Sequence, residues 1–131
     1  MIVLDTHAWL WWLSNPELLG EQAAEAITAA RARRELFVSS ISVWEVAMLT
    51  QKGRLQLALD VRDWLARCEA LPFLQFAPVN NAIAVQATRL PDGLHGDPAD
   101  RIIVATTLSL GATLVTKDEK LLRYPPVKTL W

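Results

Sequence analysis

Apolar residues along the chain fall into two alternating kinds of run. Ile2-Val3-Leu4, Leu36-Phe37-Val38-Ser39, Phe73 to Val79 and Thr113-Leu114-Val115-Thr116 are short, aliphatic or β-branched stretches, the pattern of strands covered on both faces. Pro78 falls where a strand should end. Between these runs the apolar positions recur at helical spacing. Ala8 to Leu13 reads as one helix, and Pro16 to about Arg34 as a second, with Leu19, Ala23, Ala26, Ile27 and Ala30 on its apolar side. Helices are also expected from about Ser42 to Gln51, from Asp60 to Ala70, from Asn80 to Arg89, and from the Asp97-Pro98 start to Leu110, where Gly111 closes the run. Val127 to Trp131 offers a fifth strand. Strands alternating with helices predict an α/β fold around a mostly parallel central sheet of four to five strands. With no repeat, low-complexity tract or linker in view, residues 1–131 are expected to form a single domain.

Composition narrows the class. At 131 residues with 52% hydrophobic and 21% charged side chains, the chain can close a core without staples. Its one cysteine, Cys68, rules out an internal disulfide and a thiolate zinc cage. Thirteen Lys and Arg against fourteen Asp and Glu give a net charge of −1, which argues against a basic nucleic-acid coat. No stretch reaches the ~20 apolar residues of a membrane span, and Met1 to Asp5 carries no basic leader, so a reducing cytoplasm is the expected location.

The acids carry the candidate chemistry. In a parallel sheet, ligands bind beyond the carboxyl ends of the strands, where strand order reverses. Asp5 ends the first strand, and Asp118 follows the fourth by two residues. Asp97 and Asp100 open the helix that leads into that fourth strand, and Glu45 lies early in the helix after strand two. Each has an ordinary structural alternative. Asp5 can cap the helix after it, Ser42 and Glu45 fit a capping box, Asp97 and Asp100 fit an N-cap with its N3 acid, and Asp118 fits a turn. Taken together they converge on one rim, where close carboxylates need a counter-ion. An all-oxygen set suits hard Mg²⁺ or Mn²⁺, and such ions serve phosphodiester hydrolysis.

At these residues the chain resembles the PIN-domain ribonucleases, and more closely the VapC-type toxins of bacterial toxin–antitoxin pairs. The carriers are Ile2-Val3-Leu4-Asp5-Thr6-His7 with the Trp-rich helix after it, Ser40-Ile41-Ser42-Val43-Trp44-Glu45, His95-Gly96-Asp97-Pro98-Ala99-Asp100-Arg101, and Thr116-Lys117-Asp118. Each motif is short, but all four stand in order over nearly the whole chain. The resemblance implies a three-layer α/β/α domain and an endoribonuclease that uses Mg²⁺, or Mn²⁺, to activate water. Matched position by position, it assigns metal binding and catalysis to Asp5, Glu45, Asp100 and Asp118, with Asp97 as an auxiliary acid. Thr6 and Thr116 match hydroxyls that orient the carboxylates. It further implies an RNA substrate, a homodimer and a cognate antitoxin that blocks the site. Gly96 departs from the basic residue that many relatives carry there.

Other residues suit lesser roles. Arg101 and Lys117 are candidate RNA-backbone contacts, whereas Arg31, Arg33 and Arg34 suit any helix C-terminus. His7 and His95 read more readily as structural or solvated than as ligands. Trp9, Trp11, Trp12 and Leu13 surround a short helix, and are expected to form an antitoxin or dimer surface, with core packing as the alternative. Trp64 and Cys68 read as core. A phosphoacceptor receiver domain is disfavoured because the third strand ends at Ala77-Pro78-Val79 without an acid.

Overall fold

The structure is a computed structural model that describes all of residues 1–131. Strands β1 (Ile2–Leu4), β2 (Leu36–Ser39), β3 (Leu74–Ala77), β4 (Thr113–Val115) and β5 (Thr129–Leu130) form one sheet in the order β3-β2-β1-β4-β5. Every neighbouring pair is parallel, with Leu4 opposite Val38 on one side and Val115 on the other. Helices α1 (Thr6–Ser14), α2 (Glu21–Arg33), α3 (Ser40–Gln51), α4 (Val61–Glu69), α5 (Asn81–Thr88), α6 (Pro98–Leu110) and α7 (Glu119–Leu122) cover its two faces. No helix is long and apolar enough to cross a membrane.

The alternation of side chains along β1 divides the interior in two. Ile2 and Leu4 enter a core with Trp9, Ile27, Leu36 and Val38, while Val3 points the other way into a core with Ile103, Val104 and Leu114. Because β1 is buried on both faces, it reads as an unbroken aliphatic run rather than an alternating one. This gives three layers, with the central strand shared between two cores.

Local chemistry shifts several element ends from their expected places. Helix α1 starts at Thr6, two residues earlier than its apolar pattern suggests, because Asp5 is its N-cap and accepts from the Ala8 amide. The Pro16–Arg34 stretch is not one helix. A 3₁₀ turn at Pro16–Leu18 ends on extended Leu19, and α2 begins after Gly20. A Cβ on Gly20 would lie 2.6 Å from the Trp131 carbonyl carbon, so only glycine fits this join. Helix α3 is capped by Ser39, not Ser42. Strand β3 is shorter than Phe73 to Val79, and α7 is an element that the apolar spacing does not announce.

Of Trp9, Trp11, Trp12 and Leu13, expected together on a docking surface, Trp9 is withdrawn into the core. At about 100° per residue, Trp9 and Trp11 face nearly opposite directions. Trp9 is fully buried, with Trp64 and Phe76 rings at 4.8 and 5.7 Å. Trp12 packs edge-on against Phe73, Trp11 turns toward the carboxyl edge of the sheet, and only Leu13 is exposed. Trp64 and Cys68 join the first core as expected. Replacing Trp9 with Ala should therefore cost about 3–5 kcal/mol of unfolding free energy. A urea titration showing a loss below ~1 kcal/mol would put Trp9 back on the surface.

Candidate active site

The sheet order places a reversal at β1, whose chain continues to β2 on one side and is joined by β4 on the other. The two strands separate at their carboxyl ends into a crevice. Asp5 leaves β1 at this point, its amide donating to the Val115 carbonyl at 3.1 Å, and Thr116 leaves β4 beside it. Only 8% of Asp5 is exposed. Its Oδ1 accepts from the Ala8 amide at 2.8 Å, and its Oδ2 accepts from the fully buried Thr116 hydroxyl. The same Thr116 oxygen accepts the Asp118 amide at 3.0 Å. One hydroxyl thus ties the exits of both strands together and aims Asp118 from the start of α7.

Glu45 is held from the other strand. Thr6 Oγ1 lies 2.5 Å from Glu45 Oε1 and 2.9 Å from Ser42 Oγ. A hydroxyl has one proton, so Thr6 donates to the carboxylate and accepts from Ser42 in turn. Ser42 is therefore a buried hydrogen-bond partner beneath the site rather than the cap of a capping box. Only the observed start of α3 at Ser40 separates these two readings of the same residues. On α6, Asp97 is the N-cap and accepts from the Asp100 amide, and Asp100 Oδ2 meets His95 Nε2 at 2.7 Å.

These side chains line one open cavity of about 380 Å³: Asp5, Thr6, His7, Trp11, Glu45, Asp97, Asp100, Lys117 and Asp118. Thr116 lies beneath its floor through Asp5. Of the two candidate cations only Lys117 lines the cavity, with its ammonium 5.5 Å from the Trp11 ring centre. Arg101, the other, is turned away. Its guanidinium donates through Nε and Nη1 to the carbonyls of Ala87, Leu94 and His95, so it pins the loop before α6. Trp11, expected on a docking surface, lines the cavity instead, and His95, expected to be structural or solvated, contacts Asp100. The Thr-Lys-Asp turn after β4 already marks Lys117.

Burial raises the pKa of Asp5, and the Thr116 and Ala8 hydrogen bonds only partly counter it. Burial also raises Glu45, against the Thr6 bond, with Asp100 and Asp97 adding to the rise. Asp100 is raised for the same reason, against His95, with Asp97 and Asp118 adding to it. Five carboxylates and a single lysine line the cavity, so its acids outnumber its lysine. As the side chains stand, no three of them close around a single point as a finished metal cage does. In ligand chemistry and charge they nevertheless fit a hard dication, because the donors are all carboxylate oxygens and five acids face the single lysine, Lys117.

The sequence profile of the PIN domain family matches residues 2–126. The chain is 38% identical over 132 residues to Ribonuclease VapC22 of Mycobacterium tuberculosis, covering 99% of this chain and 98% of that protein. Its fold is similar to that of VapBC2 from Rickettsia felis, solved bound to a DNA fragment from its promoter, with TM-score 0.72 at 17% identity over 99% of this chain and 98% of that one. It is also similar to a toxin–antitoxin complex from Klebsiella pneumoniae, with TM-score 0.66 at 18% identity over 100% and 97%.

The raised carboxylates fix a sign for stability. A carboxyl whose folded pKa lies above its unfolded one holds its proton to higher pH when folded, so stability falls as pH rises between the two values. In EDTA, thermal melts should show the protein gaining stability as pH is lowered through the raised folded values toward the unfolded carboxylate value of about 4, and Asp5→Asn should flatten that slope. A wild-type melting temperature that falls steadily on acidification would contradict this electrostatic account.

Proposed function

The chain belongs to the PIN domain family, and from that premise we propose that it is a metal-dependent endoribonuclease, the toxin of a VapBC-type pair restrained by its antitoxin. The observation that carries this reading is the convergence of five carboxylates on one cavity at the reversal of strand order. Its ribonuclease relative, 38% identical along essentially the whole chain, supports RNA as the substrate. The antitoxin partner rests on the family and on the toxin–antitoxin complex that shares this fold.

In this reading residues 1–131 act as one PIN domain in the cytoplasm, as a homodimer. Asp5, Glu45, Asp100 and Asp118 hold the cation, Mg²⁺ or Mn²⁺, and Asp97 serves as an auxiliary acid at the rim. A dication held by these acids would supply an activated water and offset charge at phosphorus. The chain's own groups do the positioning. Thr116 fixes Asp5 and the Asp118 backbone in one bond network, and Thr6, backed by Ser42, fixes Glu45. Lys117 is the cation on the rim and suits an RNA phosphate, while the rest of the cavity repels the backbone until the acids are neutralised. No histidine is required as a base.

Asp5→Asn should leave the fold intact and reduce RNA cleavage about 10²-fold or more. Removal of divalent metal with EDTA should abolish cleavage, and Mg²⁺ or Mn²⁺ should restore it. Thr116→Val, which keeps the shape of the buried side chain but removes its hydroxyl, should cost roughly 10–100-fold in activity. Cleavage of a labelled RNA pool, alongside circular dichroism of each variant, checks all three. Full activity in Asp5→Asn, or in EDTA, would sink the assignment.

A further inference from the structure

The loop between α5 and α6 is more firmly built than its length suggests. Arg101 clamps it from within α6 through the Leu94 and His95 carbonyls, and the Tyr124 hydroxyl donates to the Pro91 carbonyl at 2.5 Å. This double restraint places His95 over Asp100. His95 Nε2 lies 2.7 Å from Asp100 Oδ2, whereas its Nδ1 is buried with no partner. A buried ring nitrogen without an acceptor is better left unprotonated, so the surroundings place the ring proton on Nε2, pointing at the carboxylate.

We infer that His95 is a positioning residue for Asp100, fixing one carboxylate oxygen so that the other is presented to the cavity as a ligand for a divalent cation. Asp100 Oδ2 is engaged by His95, no protein group donates to Oδ1, and the residue lines the cavity. The arrangement parallels that of Glu45, whose Oε1 is engaged by Thr6 while no protein group donates to Oε2. Carboxylates held in this way lose less freedom on binding a metal, and loss of such a partner typically weakens affinity by 10–100-fold. The inference rests on the metal-dependent reading above and adds to it a residue that acts through Asp100 without touching substrate.

Calorimetric titration of metal-free protein with Mn²⁺, in the absence of RNA, tests it directly. His95→Ala should bind Mn²⁺ about 10–100-fold more weakly than wild type, while its melting temperature in EDTA changes little. His95→Gln, whose amide can stand where Nε2 stands, should recover most of the affinity. His95→Asn, whose amide falls short of Asp100, should not, and this pair carries the test should the Ala variant fail to fold. In RNA cleavage the loss should be recovered at saturating Mn²⁺ with KM for RNA unchanged, which a general loosening of the loop would not produce. Wild-type Mn²⁺ affinity in His95→Ala, or equal loss in the Gln and Asn variants, would overturn the role of His95 alone. A wild-type protein that neither binds Mn²⁺ nor cuts RNA would overturn the nuclease reading beneath it.

Discussion

The site is organised around a carboxylate buried where two parallel strands part. Asp5 sits at the end of a strand covered on both faces, with 8% of its surface exposed, and burial alone drives it toward the protonated state. An ionised carboxylate there needs donors in fixed positions, and the fold supplies the Ala8 amide at the start of α1 and the Thr116 hydroxyl at the end of β4. Both come from the two elements that bound the crevice. The bonds that make Asp5 tolerable are therefore also the bonds that set the geometry of the crevice.

The same logic repeats at lower burial around the rim. Glu45 is engaged by Thr6 at Oε1, and Asp100 by His95 at Oδ2. These partners restrain the acids and lower their pKa values, against the larger effect of burial. Mutual repulsion with Asp97 and, for Asp100, Asp118 remains. A cavity of this kind is oriented but not neutralised. That is the state in which a dication gains most, since it meets charge already in place and side chains already restricted in their rotation.

Much of this was legible in the sequence, and the misreadings have specific causes. The strand runs, the parallel α/β fold and the acids at strand ends follow from short-range pattern, because a doubly buried strand can only be aliphatic and the carboxyl edge is where it stops. Ser42 and Glu45 satisfy the capping-box spacing as well as they satisfy a site. Only the start of α3 two residues earlier assigns Ser42 to Thr6. Spacing alone does not separate Trp9 from its neighbours, because a helix apolar all round has no visible inner face, and its burial depends on Trp64 and Phe76, far away in the chain. Arg101 next to Asp100 looks like a phosphate ligand, but its acceptors are carbonyls of Ala87, Leu94 and His95, which no side-chain pattern records.

The separation of core from site explains how such a cavity can exist in a domain this small. Ile2 and Leu4 anchor β1 in one core and Val3 in the other, so the strand is held from both sides before its last residue is reached. The repulsive charge is confined to the carboxyl edge, where it acts on side-chain rotamers and helix starts rather than on strand pairing. Neutralising any one acid relieves the edge and leaves the cores untouched. Loss of chemistry and loss of fold are thus separable in this molecule, and residues that couple them must bridge the two regions. Thr116 is one: it is fully buried, follows directly on β4, and its hydroxyl reaches both Asp5 and the Asp118 amide.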